Sequence, residues 1–156
     1  MTTLSDEELF AEFNANPPAS AISIERCQAN LGLRLPGDYV RFLRKMNGGE
    51  GFLGENAYLV LWRAEQLAEM NAGYEVPEVP RELCLIGSNG AGEAFAFDVR
   101  TAPHPIVAIP FLGLEWEDAI LIATNFRGFL ETLFTSGIPF CAGRRYGERS
   151  DSDSAS

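Results

Sequence analysis

Positive charge and histidine are what this sequence has least of. Twelve Lys and Arg stand against 22 Asp and Glu, giving a net charge of −10 at pH 7. The summed field of such a chain repels phosphate backbones and anionic membranes and attracts basic macromolecules, so neither nucleic acid nor membrane is an expected partner. The one histidine, His104, rules out multi-histidine metal sites and leaves any catalytic triad dependent on a loop residue between Pro103 and Pro105. Three cysteines, Cys27, Cys84 and Cys141, are widely separated and odd in number. That fits neither a disulfide framework nor a CxxC pair, and Cys27 and Cys84 read as small buried apolar residues. No apolar run is long enough to span a membrane, and the start, MTTLSDEELF, carries acids where a signal peptide carries bases. A cytoplasmic location is expected. No internal repeat is visible.

Apolar residues make up 46% of the 156, enough for one sizeable core. A single domain is expected over residues 1–142. From Gly143 to Ser156 apolar periodicity is missing, so a disordered tail is expected. Its three arginines balance Glu148, Asp151 and Asp153, which leaves the acidity to the folded part.

Ser5 and Glu8 have capping-box spacing, and Leu9, Phe10 and Phe13 follow at helical intervals, predicting a short helix over about 6–14 that stops at Asn16-Pro17-Pro18. A second helix is expected from Ser20 to Gly32, with Ile24, Cys27 and Leu31 on one face. Pro36 opens a third, whose Tyr39, Phe42, Leu43 and Met46 recur at i, i+3, i+4, i+7 until Asn47-Gly48-Gly49. Its other face, with Arg41, Arg44 and Lys45, reads as solvated. Strands are expected at 57–62, 83–86, 93–98, 106–110 and 119–122, a helix between the first two around Ala64, Leu67 and Met70, and a last helix from Thr124 or Asn125 to Gly137. This order predicts an α+β fold with a mainly antiparallel sheet flanked by helices.

The glycine-rich stretch 87–92 lacks the GK[ST] ending of a P-loop and leads into a strand, so it reads as a hairpin turn; Ser88 has no nucleophile-elbow context. Glu93 and Asp98, five apart in one strand, point to opposite faces and make no acid/base pair, and Asp98 is expected to end the strand and hold a turn. No catalytic residue, metal or cofactor is expected. Acids cluster twice: Glu65, Glu69, Glu75, Glu78 and Glu82 in one stretch, and Glu115, Glu117 and Asp118 around Trp116. Either cluster fits a solvated face or a partner-binding one. Trp116 fits an aromatic anchor in a charged rim, and equally a partly buried core tryptophan. The candidate contact residues are therefore Glu65, Glu69, Glu75, Glu115, Trp116, Glu117 and Asp118.

Three segments, in order, carry a resemblance: Ile24-Glu25 to Leu31-Gly32, on through Leu35-Pro36-Gly37-Asp38-Tyr39, Phe42-Leu43 and Asn47-Gly48-Gly49; Ile86-Gly87-Ser88-Asn89-Gly90-Ala91-Gly92-Glu93 through Phe97-Asp98; and Ile122 to Phe126, Phe129 and Leu130. Over residues 22–134 the chain resembles the SUKH superfamily, which includes the fungal cell-wall-assembly-regulator domain and many bacterial immunity proteins. Asn89 stands where an aspartate is common, and the first helix and the tail lie outside the match. The resemblance implies an α+β fold, no known catalytic residues, and a partner protein, often a toxin encoded nearby. It also implies structural roles for Leu35, Pro36, Tyr39, Asn47, Gly48, Gly49, Gly87, Gly90, Gly92 and Asp98. The expected function is that of an immunity protein neutralising a basic toxin, such as a nuclease, by direct binding. A regulatory scaffold and a small-molecule or peptide-binding domain with a hollow beside the glycine-rich turn are the alternatives.

Overall fold

The computed structural model describes residues 4–55, 57–73, 83–100, 104–110 and 119–137. Seven strands, β1 (Phe13–Ala15), β2 (Gly49–Leu53), β3 (Ala57–Leu61), β4 (Leu83–Ser88), β5 (Glu93–Asp98), β6 (Ile106–Pro110) and β7 (Ile120–Ala123), form one sheet in sequence order. Every neighbouring pair is antiparallel. The helices are α1 (Asp6–Leu9), α2 (Ala21–Leu31), α3 (Gly37–Lys45), α4 (Ala64–Gly73) and α5 (Phe126–Ser136). The fold is α+β, as the element order implies.

Local chemistry sets most helix ends. Ser20 caps α2 by accepting from the Ser23 N–H, and Gly32 closes it at φ +74°. Pro36 sits at the N-cap of α3, one position before the first turn expected for it. Asn125 caps α5 by accepting from Gly128 N at 2.7 Å. Asp38, in the first turn of α3, then accepts from the Phe126 and Arg127 N–H groups at 3.0 and 3.3 Å. A carboxylate from another helix thus satisfies two more of α5's orphan donors, where the helix dipole also favours negative charge.

The first helix is shorter than its periodicity predicts. The capping box between Ser5 and Glu8 forms, but α1 ends at Leu9, and Phe13 to Ala15 become edge strand β1 against β2. The reason is the partner. A Cβ on Gly51 would lie 2.5 Å from Glu12 O, and one on Gly49 would lie 2.9 Å from Ala15 Cα, so only a bare β2 backbone admits this strand. Leu9 is fully buried and Phe13 nearly so, placing α1 and β1 in the common core although they precede the resembling segment. Asp6 adds ion pairs to Lys45 at 2.9 Å and Arg127 at 2.7 Å, and these hydrogen bonds hold its pKa below the usual value.

Phe95 and Phe97 project from one face of β5 into an aromatic cluster with Tyr39, Phe42, Phe126 and Phe129, at centroid separations of 4.9 to 6.4 Å. Such pairs each contribute about 0.5–1.5 kcal/mol beyond area burial. This packing sets α3 and α5 on the sheet. Strands β4 to β6 are buried on both faces, whereas β2 and β3 alternate inward and outward. The register between β4 and β5 shifts between Leu85 and Gly87, and the side-chain amide of Asn71 on α4 bonds both the N–H and the C=O of Leu85. There the amide takes the place of a neighbouring strand, since β3 ends at Leu61, opposite Gly87.

Asn47-Gly48-Gly49 joins these parts. Asn47, 6% exposed, accepts from Ala64 N at 2.8 Å and donates to Glu65 at 2.8 Å. It supplies the start of α4 with an acceptor that Arg63, at the cap position, lacks. Gly48, at φ +79°, is pressed against Leu61 O and Trp62 O.

Gly48→Ala is expected to destabilise the protein by roughly 2–4 kcal/mol in urea unfolding, since strain and a backbone clash coincide. Gly32→Ala, at a similar φ with open space around it, is expected to cost only about 1–2 kcal/mol. Equal losses would show that conformation alone sets the requirement. The Tyr39 hydroxyl is buried and has no hydrogen-bond partner among the described residues, so Tyr39→Phe is expected to leave the urea midpoint unchanged or raise it. A drop of more than about 1 kcal/mol would reveal a bond to that hydroxyl.

Candidate partner-binding face

The alternation along β2 and β3 turns Leu53, Leu59 and Leu61 inward and Glu50, Phe52, Tyr58 and Val60 outward. Antiparallel register sets Asn14, Glu50 and Val60 in one cross-strand row and Phe52 opposite Tyr58 in the next. A broad open groove of about 1000 Å³ runs along this face, lined among others by Glu12, Asn14, Glu50, Tyr58 and Arg63. The rings of Phe52 and Tyr58 meet edge to face at 5.0 Å and 81°, and Phe52 is 53% exposed. The Tyr58 hydroxyl donates to Glu50 Oε2 at 2.5 Å. Holding its proton for that carboxylate pushes the Tyr58 pKa above the ordinary 10.0.

A smaller hollow of about 380 Å³ adjoins this groove, bounded by Asn16, Pro17, Pro18, Asn47, Glu65 and Gln66. Glu65, though exposed, is tied down there: the hydrogen bond from Asn47 holds its pKa below the usual carboxylate value. The fold therefore uses Glu65 as an anchor for α4. Glu69 is exposed on the same helix. Glu75, Glu115, Trp116, Glu117 and Asp118 lie outside the described residues, as do Cys141 and the expected tail.

The residues of the resembling motifs sit mostly in the frame. Leu35 and Tyr39 are buried, and Pro36 begins α3. At Gly87 a Cβ would strike Val60 O, so β3 crosses β4 there at closest approach, and Gly90 takes φ +75° beside the Tyr58 ring. Gly92 completes the turn at φ +106°. In that hairpin Ser88 Oγ and Asn89 Oδ1 accept from turn N–H groups. Asp98 is 1% exposed at the end of β5 and accepts from the N–H and guanidinium of Arg100 at 2.9 to 3.0 Å.

Burial pushes the thiol pKa up to about 11 for Cys27 and about 12 for Cys84, so neither presents a ready thiolate. Among the described residues no group of three or more His, Cys, Asp or Glu comes together as a metal site. No helix among them is long and apolar enough to cross a membrane. What the outer face offers chemically is an oriented carboxylate beside exposed aromatic surface. Sequence reasoning missed Glu50 and Phe52 because no strand was expected between Asn47-Gly48-Gly49 and Ala57, and it placed Tyr58 in a strand without the partner that faces it. The usable signal was the alternation of Gly-Glu-Gly-Phe-Leu running into a strand after one short turn.

Glu50→Gln is expected to bring the Tyr58 pKa, followed by ultraviolet or NMR titration, back toward its ordinary value, because the proton no longer faces a carboxylate. An unchanged titration would mean that the pair does not form in solution.

The comparisons agree with this frame. A Bacillus subtilis (strain 168) protein described as uncharacterised, YnaB, is 30% identical over 125 residues, covering 79% of this chain and 81% of that protein. The sequence profile of the SMI1/KNR4 family (SUKH-1) matches residues 18–132, the stretch from Pro18 into the helix that Asp38 caps, and the chain belongs to that family.

Proposed function

We propose that this chain is a non-enzymatic protein-binding domain that acts as an immunity protein, neutralising a basic toxin domain by direct contact. The observation that carries this reading is the open outer face of β1 to β3. Exposed aromatic and acidic side chains stand there on a rigid sheet in a chain of net charge −10. Aromatic anchors ringed by polar groups are how protein interfaces concentrate their binding energy, and an acidic surface accelerates encounter with a basic partner. The membership in SUKH-1 supports the same role, since immunity proteins are frequent in the superfamily that the sequence resembles. A basic cleft built to hold phosphate, as in a nuclease, is the surface that such acids would occupy.

Co-expression is expected to restore growth to cells producing the toxin domain encoded beside this gene, and the two proteins are expected to co-purify. Reversing Glu12, Glu50 and Glu69 together to Lys is expected to slow association about tenfold at low salt. The difference should shrink as added salt screens the exposed charges. Absence of rescue together with recovery of no basic protein on affinity purification would sink this reading.

A further inference from the structure

The outer face holds three side chains whose arrangement is more specific than a general acidic surface. Glu50, Phe52 and Tyr58 project side by side from the paired strands β2 and β3. One hydrogen bond and one ring contact link them. The Tyr58 hydroxyl donates to one carboxylate oxygen of Glu50 at 2.5 Å, and among the described residues the other oxygen has no hydrogen-bond donor. Among the described residues no cation pairs with Glu50 within 4.0 Å. Phe52, one residue before the end of β2 and beyond the reach of β1, keeps 53% of its surface in water while its ring meets Tyr58 edge to face. Glu12 and Asn14 line the same groove.

We propose that this cluster is a docking spot for an arginine side chain of the protein partner. A guanidinium is planar, weakly hydrated and always charged, so it can lie on an aromatic face and donate to a carboxylate at once. Lysine brings a compact, strongly hydrated charge with no plane to stack. The inference rests on the protein-binding reading for the source of the arginine. The chemistry of the spot rests on the three side chains. Charge complementarity selects the occupant: the only charge of the cluster is negative and lacks a counter-ion within the described structure.

The test uses the full chain and short acetylated, amidated peptides carrying a central arginine, lysine or norleucine between threonines, followed by NMR. The arginine peptide is expected to shift the amides of residues 49–53 and 57–61 saturably, and the lysine peptide to bind roughly threefold more weakly. Glu50→Gln is expected to weaken the arginine peptide roughly threefold. Phe52→Ala, at an exposed position that the core does not use, is expected to lose the stacking share of the affinity. Tyr58→Phe keeps the ring but removes the hydroxyl that orients the carboxylate, and should fall between wild type and Glu50→Gln. Equal binding of the norleucine peptide would replace this proposal with a purely apolar patch. Arginine binding unchanged in Glu50→Gln, or shifts spread evenly over every exposed acid, would overturn it. The peptides need no natural partner, so failure here leaves the immunity reading to its own rescue experiment, and a failed rescue leaves the peptide titration standing.

Discussion

The fold depends on how closely the backbone after α3 can approach the strand that follows it. At Gly48 the chain runs against the carbonyls of Leu61 and Trp62 with a positive φ, and no side chain fits in the gap. Because the approach is that close, Asn47 can reach across and serve as the acceptor at the start of α4. Asn16 and Pro17 are drawn in as well, the first by donating to Asn47 O at 3.1 Å and the second by accepting from Asn47 N at 3.1 Å. One three-residue corner thereby fixes the relative placement of β1, β2, β3 and α4. Backbone crowding of this kind is satisfied by glycine or not at all, because a displaced carbonyl would also break its ladder bond.

From that corner follows the division of the sheet into two halves. β4 to β6 are enclosed on both faces, and their sequences run apolar without alternation. β1 to β3 are enclosed on one, so the exposed row of Asn14, Glu50 and Val60 and the pair Phe52 and Tyr58 stand on a rigid floor. A binding face on paired strands has little entropy left to lose, which concentrates whatever affinity its few aromatic and charged groups supply. Most residues of the resembling motifs are buried or committed to turns: they hold the frame, and the exposed side chains between them carry no such packing role.

Asp38 and Glu65 illustrate how charge serves structure before it serves recognition. Asp38 caps a helix 88 residues further on, and Glu65 is tied to Asn47. In sequence each was one acid among 22. Their hydrogen bonds, not their spacing or exposure, separate them from Glu69, since Glu65 and Glu69 are both exposed on α4.

The sequence by itself determined the helices α2, α3 and α5, whose caps and apolar spacing are local. It also determined the β4–β5 hairpin, whose glycines mark the turn, and the SUKH likeness carried by the order of those pieces. It misjudged the segment from Phe10 to Asn14, where helical spacing continued to Phe13 but the bare glycine backbone of β2 admitted a paired strand. It passed over β2 altogether, since glycines at alternate positions remove the apolar signal that marks a strand. Only the tertiary structure decided which acids take hydrogen bonds from the frame, and only it brought Glu50, Phe52 and Tyr58 together. Those three meet through cross-strand register, and register is set by backbone pairing across a turn, which no local pattern of side chains records.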